Sequence, residues 1–383
     1  MIPYGCQDIN QADIDAVVEV LRSDFLTQGP VVPRFEQLVA TQVNCKHAIA
    51  TTSATSALHT ACLALELGLG DILWTVSNTF VASANCALYC GAQIDFVDID
   101  ELTWNISITK LKEKLIHAKK NDSLPKVLVP VHFAGQPSIQ EELWELAQEF
   151  GFRVLEDAAH AIGASRNGEP VGSCRWSDIT VFSFHPVKII TTGEGGMLLT
   201  NDENLARRMA QLRSHGITHD KAMFTQPSRG PWDYEQQMLG YNYRMTDMQA
   251  ALGISQLERL DSFIERRTTL ARQYDQALCE LPIELPTVLP ENRSAWHLYV
   301  IRVNTTIHRR VFEGLRQQGI GVNLHYMPVH LQPYYRALGF TKGQCPEAEA
   351  HGESAITLPL FPTLTDQNQD QVVNILSQEI ANA

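Results

Sequence analysis

Val181-Phe182-Ser183-Phe184-His185-Pro186-Val187-Lys188 and, after Ile189-Ile190, Thr191-Thr192-Gly193-Glu194-Gly195-Gly196 form the most informative stretch of this chain. Ile179–Phe184 is mostly apolar, as a strand covered on both faces must be. Ser-x-His-Pro-x-Lys ends that run, and a glycine-rich turn feeds a second one, Met197–Thr200. Runs of the same kind recur upstream at His47–Thr52, Ile72–Val76, Gln93–Val97, Lys126–His132 and Arg153–Glu156, with helical stretches between them. Alternating strands and helices predict an α/β architecture, a mostly parallel central sheet between helices.

The flanks extend this reading. Asn10 can cap a helix over Asp13–Ser23, with Ile14, Val17, Val18 and Leu21 on one face. A turn at Gln28-Gly29-Pro30 precedes a helix from about Pro33 to Val43. Downstream, Gly216–Gly240 reads as a long loop. Thr246 followed by Gln249 has the capping-box form, and Leu252, Leu257, Leu260, Ile264, Leu270, Tyr274 and Leu278 then recur at mostly helical intervals. With no proline before Pro282, one helix of about 30 residues, roughly 45–50 Å, is expected there. Such a helix bridges domains. A strand at Trp296–Val303, a helix at Arg309–Gln318, a strand at Gly321–Tyr326 and a final helix ending near Ile380 suggest a smaller α+β unit. The expected division is a large domain of residues 1–250, then an interdomain helix and small C-terminal domain over residues 251–383.

A chain of 383 residues exceeds what a single core needs, since cores stop growing near roughly 250–300 residues, which fits that division. Hydrophobic residues at 44% and charged residues at 19% exclude a disordered chain. The net charge of −13 argues against nucleic acid as a partner, and an anionic substrate would need local donors to hold it. The start, Met1-Ile2-Pro3-Tyr4-Gly5-Cys6-Gln7-Asp8, has neither the basic region nor the apolar run of a signal peptide. No uncharged apolar stretch reaches the length of a membrane span, so a cytoplasmic protein without a membrane partner is expected. The eight cysteines are scattered, which suits buried small hydrophobes rather than a metal or redox site. His325 and His330 lack a His-Glu-x-x-His arrangement, and no metal is expected.

Three strand ends carry residues with chemical potential. Lys188 sits just past a strand among apolar residues, where desolvation favours the neutral amine that a Schiff-base lysine requires. The same position also suits a surface lysine that starts a loop. Phe152-Arg153-Val154-Leu155 delivers Glu156-Asp157-Ala158-Ala159-His160 at a carboxyl edge, where ligands of open α/β sheets gather. If the ligand is pyridoxal phosphate, Asp157 keeps the pyridine nitrogen protonated and the ring acts as an electron sink. Its plainer role is to cap the next helix. Ser53-Ala54-Thr55-Ser56-Ala57 opens a helix with small residues, so backbone N–H groups and hydroxyls can converge on a phosphate; an ordinary serine/threonine cap has the same look. A Gly-x-Gly-x-x-Gly after the first strand and a Walker loop are both missing, so a dinucleotide or NTP fold lacks its signature. Phe80 in Ser77-Asn78-Thr79-Phe80 can lie on a planar cofactor or pack in the core. A lysine, an aspartate and a phosphate cradle on three strand ends of one sheet are far more specific together than singly.

Over essentially its whole length the chain resembles the DegT/DnrJ/EryC1/StrS nucleotide-sugar aminotransferases, whose fold is the type I (aspartate-aminotransferase-like) pyridoxal-phosphate fold. The matching segments are Leu26–Pro30, Ser53–Leu58, Thr79–Ser83, Glu156–His160, Ser183–Lys188 and Gly240–Asp247. Within the family, His185–Gly196, Trp74–Gly91 and His325–Tyr335 are most similar to the members that act in pseudaminic acid biosynthesis.

The resemblance implies roles residue by residue. Lys188 matches the lysine that bonds the cofactor and shuttles the proton. Asp157 matches the carboxylate on the pyridine nitrogen, His160 a residue near the ring hydroxyl, and Phe80 the aromatic over the ring face. Ala54, Thr55 and Ser183 match the phosphate cradle. Asn242 matches an asparagine that reaches the phosphate from the neighbouring subunit, which implies a homodimer with shared active sites. Tyr4, Asp24, Phe25, Leu26, Thr27, Asn323, Leu324, His325 and Tyr326 match segments that contact the sugar nucleotide. Some members replace the lysine with histidine and become dehydratases; Lys188 is present here. The implied reaction passes an amino group from L-glutamate, through pyridoxal 5′-phosphate and its pyridoxamine form, to C4 of a UDP-linked 4-keto-6-deoxy-N-acetylhexosamine. Competing readings are an aminotransferase for another 3- or 4-keto sugar on UDP or dTDP, and a cofactor-binding regulatory protein without turnover. Intact Lys188 and Asp157 argue against the last.

Overall fold

A computed structural model describes residues 1–382. Helices α1 (Gln11–Leu21) and α2 (Val31–Gln42) precede β1 (His47–Thr51), α3 (Ala54–Ala64), β2 (Ile72–Val76), α4 (Ala82–Tyr89), β3 (Gln93–Val97), α5 (Ile108–Lys120), β4 (Val127–Val129), α6 (Gln140–Phe150) and β5 (Arg153–Asp157). Two-residue strands β6 (Ser165–Arg166) and β7 (Glu169–Pro170) lead to β8 (Ile179–Ser183), β9 (Gly196–Thr200) and α7 (Glu203–Leu212). The long strands form one seven-stranded sheet in the order β1-β9-β8-β5-β4-β2-β3. All run parallel except β9, which is antiparallel to both β1 and β8. The mostly parallel α/β sheet expected from the alternation is therefore present.

Helices cover both sheet faces, which is why β8 and β9 are buried at every position. Side chains along these strands alternate between two cores. Val181 and Leu198 join one core with Leu58, Leu111, Leu143 and Met209 from the helices on one side. Phe182, Met197 and Leu199 join the other with Phe35, Val39 and Phe263.

In the loop at Gly216–Gly240, β10 (Ile217–Thr218) pairs with β11 (Glu235–Gln236) around a short 3₁₀ turn, Lys221–Met223. The Thr246 capping box forms as expected. The long helix does not. It breaks at Glu258–Arg259 into α8 (Asp247–Leu257) and α9 (Leu260–Leu278). Arg259 leaves helical geometry (φ −103, ψ 5), and its guanidinium reaches sideways to Asp8 and Asp13 in the N-terminal segment. Apolar spacing could not reveal that competing pull.

The remaining elements are β12 (Asn292–Arg293), β13 (Tyr299–Arg302), α10 (Thr305–Gln317), α11 (Pro333–Ala337), α12 (Pro346–Ser354), β14 (Ala355–Leu358) and α13 (Asp366–Ala381). A third core collects Tyr274, Tyr299, Val311, Ile356 and Leu376, with Ile2 and Cys6 packed against it. The strand expected at Gly321–Tyr326 is reduced to a single bridge, Asn323 opposite Thr357. Side chains take the backbone donors that a ladder would need: Asn323 Oδ1 accepts from Leu324 N, and Asn78 Oδ1 accepts from Tyr326 N. All eight cysteines are free; Cys62, Cys86, Cys174 and Cys345 are buried as expected, whereas Cys279 is exposed. Among the described residues, no helix is long and apolar enough to cross a membrane.

Candidate active site

The carboxyl ends of β1, β2, β5 and β8 open on one edge of the sheet, and most of the sequence-predicted residues meet there. Asp157 ends β5 and is 5% exposed. Ser83, in the first turn of α4, donates to Asp157 Oδ2 at 2.6 Å, and the Ala159 amide donates to Oδ1 at 3.0 Å. Thr79 and Ser83 hydroxyls lie 2.8 Å apart, extending the chain of hydrogen bonds. The carboxylate is thus held in orientation with acceptor capacity to spare. On the neighbouring face, buried Glu156 accepts from Gln140, Ser177 and Thr180 and faces His132 at 3.4 Å. Burial pushes its carboxyl up, but His132 and these hydrogen bonds outweigh that and hold it low.

Lys188 follows β8 by five residues, and its backbone N–H closes a turn onto the His185 carbonyl. Packing around the amino end pulls the amine down to about 8, against the opposite pull of the Asp157 carboxylate. The residue as a whole is half-buried. The amino group lies 3.5 Å from Nε2 of His297.

The expected phosphate cradle corresponds to the first turn of α3. Ser53 caps it by accepting from the Ser56 amide, in a complete capping box. The N–H groups of Ala54 and Thr55 are then left without intrahelical acceptors. Register brings Thr51 opposite Gly196, and a Cβ on Gly196 would sit 2.5 Å from the Ser53 carbonyl carbon and oxygen. Only glycine permits β9 to approach the cradle this closely. Ser183, at the end of β8, is buried, and its hydroxyl takes only a long 3.5 Å contact from the His185 amide.

Phe80 is 58% exposed beside the sheet edge, its ring 6.5 Å from that of Tyr326. His160 is buried; its Nε2 is 3.2 Å from the Tyr326 hydroxyl, while its Nδ1 has no partner among the described residues. Burial drives His160 well below the ordinary imidazole range, with Lys188 and His325 adding to it. His325 is pulled down to about 3, chiefly by burial, and its Nδ1 lies 2.8 Å from the Thr357 hydroxyl. Burial raises Tyr326 and Tyr4 above the ordinary phenol range. Tyr4 stacks obliquely on His325 at 5.4 Å, and Asn323 Nδ2 lies 3.5 Å from His325 Nε2, so Tyr4, Asn323, His325 and Tyr326 form one wall. Leu324 packs on the first core instead.

The other predicted residues lie apart. Asp24, Phe25, Leu26 and Thr27 are exposed, and their backbone ties run to the start of α8: Leu26 accepts from the Asp247 amide, and Thr27 bridges Thr246. Asn242 is exposed in an isolated bridge to Ser214. Its neighbour Tyr243 accepts from the Thr52 amide at 2.9 Å, so this segment flanks the cradle without placing Asn242 in it.

Two residues had no role in the sequence reading. Ser83 lay inside a quoted motif, yet nothing in its spacing tied it to Asp157. His297 fell within an expected strand, which starts later, at Tyr299, because Trp296 adopts φ 49 and the Ala295, His297 and Leu298 amides donate to Gly135 and Ala134.

The donor set fits pyridoxal phosphate. A cradle with two unspent N–H groups, a buried oriented carboxylate, a lysine of depressed basicity and an imidazole with an orphaned nitrogen surround one edge. A model of the DegT/DnrJ/EryC1/StrS aminotransferase family matches residues 7–377. The spore coat polysaccharide biosynthesis protein SpsC of Bacillus subtilis (strain 168) is 37% identical over 390 residues, covering 100% of this chain and 98% of that one. Among solved structures, Helicobacter pylori PseC, an aminotransferase involved in the biosynthesis of pseudoaminic acid, superposes with TM-score 0.92 at 30% identity over 100% of both chains. Spr1654 of Streptococcus pneumoniae, in its PMP form, does so with TM-score 0.91 at 29% identity over 100% of both chains.

Proposed function

We propose that this chain, which belongs to the DegT/DnrJ/EryC1/StrS aminotransferase family, moves an amino group from L-glutamate to C4 of a UDP-linked 4-keto-6-deoxy-N-acetylhexosamine. The product would be UDP-4-amino-4,6-dideoxy-N-acetyl-β-L-altrosamine, in pseudaminic acid biosynthesis. The fold is the type I pyridoxal-phosphate fold, and the family's aminotransferases use pyridoxal 5′-phosphate. The observation that carries the reading is the pairing of Lys188, an amine brought down to about 8, with Asp157 at adjacent strand ends. The choice of sugar rests on the likeness to PseC.

When bound, the cofactor supplies an electron-withdrawing ring that delocalises the electron pair left on a substrate carbon. Lys188 then does the proton work. In one half of the cycle a neutral Nζ would take the proton from the α-carbon of glutamate and hand it on to the bound cofactor; in the other it would carry a proton back from there to C4 of the sugar, and its lowered basicity matches that task near neutral pH. Asp157, oriented by Ser83 and the Ala159 amide, would keep the ring nitrogen protonated. Ala54, Thr55 and Ser183 bind the phosphate, aided by the positive end of the α3 dipole. Phe80 would cover one face of the bound ring and exclude water there, and His160 would help to hold the ring's edge. Tyr4, Asn323, His325 and Tyr326 line the sugar side. Asp24–Thr27 and Asn242 would complete it in a homodimer, where Asn242 would serve the partner's phosphate, while Leu324 would support that wall from the core behind it. Residues 1–250 would hold the cofactor and residues 251–383 would form the smaller unit, in a cytoplasmic enzyme.

Mass spectrometry of products from glutamate and a panel of UDP- and dTDP-linked 4-keto sugars tests the substrate. Amination of the UDP-N-acetyl sugar in preference to the rest is expected. Preference for a dTDP sugar or a 3-keto sugar would replace the substrate while leaving the reaction class intact.

A further inference from the structure

His297 belongs to no motif, yet three separate constraints aim its ring at Lys188. Its backbone N–H donates to the Ala134 carbonyl at 2.9 Å. Its carbonyl accepts from Nη1 of Arg267 at 3.2 Å, a guanidinium 1% exposed that also serves the Trp296 and Leu360 carbonyls. Gly135, at φ +98, seats the Ala134 turn against this segment so closely that a Cβ there would lie 2.8 Å from Trp296 N and 2.9 Å from His297 N. The ring is 3% exposed, its centroid is 4.3 Å from that of His160, and its Nε2 is 3.5 Å from Lys188 Nζ.

The protonation of this imidazole follows from its surroundings. Burial drives it well below the ordinary range, and the neighbouring His160, Lys188, Arg267 and His325 all oppose a positive charge on it. Asp157 is the carboxylate that acts on Lys188 and favours charge there. The Tyr326 hydroxyl is engaged with His160. A neutral imidazole has a single acceptor nitrogen. An ammonium Nζ can only donate, so toward the protonated lysine Nε2 is the acceptor and the ring hydrogen lies on Nδ1, which has no partner among the described residues.

We infer that His297 is a positioning residue for Lys188: its Nε2 accepts a hydrogen bond from the amino group, aims it along the sheet edge and favours its protonated form over the neutral one. The inference rests on Lys188 being the cofactor-bearing lysine. It adds a residue that tunes how readily that lysine gives up and regains its proton.

Competitive labelling of the cofactor-free protein with acetic anhydride, read on the Lys188 peptide by mass spectrometry across pH, tests the contact directly. His297→Phe removes the acceptor, so the labelling midpoint should fall below that of the wild type, raising the neutral fraction at pH 7 about fivefold for a shift of about one pH unit. His297→Gln, which keeps an acceptor oxygen, should stay near the wild-type curve. If the phenylalanine protein does not fold, His297→Asn, too short to reach Nζ, takes its place with the same expectation. An unchanged midpoint without the acceptor, an upward shift, or equal displacement by glutamine and phenylalanine would overturn the inference. Borohydride reduction of the reconstituted wild type keeps the two questions apart. Failure to fix cofactor mass on the Lys188 peptide would remove the role of Lys188, whereas the labelling curves alone decide whether His297 touches it.

Discussion

Ser83 and Asp157 meet across 74 residues of sequence through a 2.6 Å hydrogen bond from Oγ to Oδ2, reaching from the first turn of α4 to the end of β5. The carboxylate proposed to face a ring nitrogen is therefore held by the helix that also follows Phe80. Ser83→Ala frees one carboxylate oxygen without changing its charge. A hydrogen bond to an ionised group contributes roughly 1.5–3 kcal/mol, so turnover should fall about tenfold or more. Single-turnover kinetics with glutamate check this, and a wild-type rate in the alanine variant would show that the Ala159 amide alone suffices.

Asp157→Asn goes further, because an amide can hydrogen-bond to the ring nitrogen but cannot hold it protonated by charge. The glutamate half-reaction should slow far more than cofactor affinity weakens. Near-normal half-reaction rates would refute the assigned role.

Lys188→Ala should fold and lose turnover, and borohydride should no longer fix cofactor mass on its peptide, since no other group supplies both the covalent link and the proton shuttle. In the wild type, catalysis needs the neutral amine. Burial brings that amine to about 8, so the rate of the proton-transfer step should rise as pH increases toward and through that value. A profile still climbing steeply above pH 10 would mean that the lysine is solvated.

How much of this was legible beforehand varies with the range of the interactions. The sheet and the strands that lead to Asp157 and Lys188 follow from local apolar patterning, and every long strand lies where its run of residues does, whereas the pairing of those two strands shows only in the fold. The cap at Asn10 and the capping box at Thr246 are three-residue signals and were equally readable, although the reciprocal bond from Asp13 that completes a box at Asn10 was not read. The break at Arg259 depends on Asp8 and Asp13, some 250 residues away, and the lost strand at Gly321–Tyr326 depends on Asn78. Ser83 and His297 escaped notice for the same reason. Their partners come from other strands, and no spacing rule encodes a contact made only in the fold.

The buried imidazoles predict acid sensitivity. His160 and His297 lie well below 6.5 in the folded protein, His325 near 3 and His351 near 4, with burial the leading cause in each. Below about pH 6.5 the unfolded chain binds protons that the native state does not, so stability falls as pH drops through 6.5 toward 4. Each group removes up to about 1.4 kcal/mol per pH unit across that window. Urea denaturation of the cofactor-free protein at pH 7, 6 and 5 avoids the carboxylate range and should show a midpoint that falls with each step. A constant midpoint would mean that these rings are protonated in the native state.

Asn242 offers the sharpest test of a shared site. It is exposed and its side chain has no hydrogen-bond partner among the described residues, although the adjoining Tyr243 carbonyl is tied to Thr52 at the flank of the cradle. A residue placed so firmly yet left unspent fits a role in a second copy, so cofactor binding and association should be linked. Asn242→Ala should weaken cofactor retention by roughly 1.5–3 kcal/mol, the contribution of one hydrogen bond to a charged group. Mixing then separates action in trans from action in cis. Lys188→Ala and Asn242→Ala subunits are each impaired alone. If Asn242 acts across the dimer, a heterodimer has one site that pairs the intact Lys188 of one chain with the intact Asn242 of the other, and a second site that carries both defects. If it acts within its own chain, each site of the heterodimer keeps one defect and none is whole. Activity regained on subunit exchange therefore supports the shared site. No gain, with exchange verified by native mass spectrometry, assigns Asn242 to its own chain.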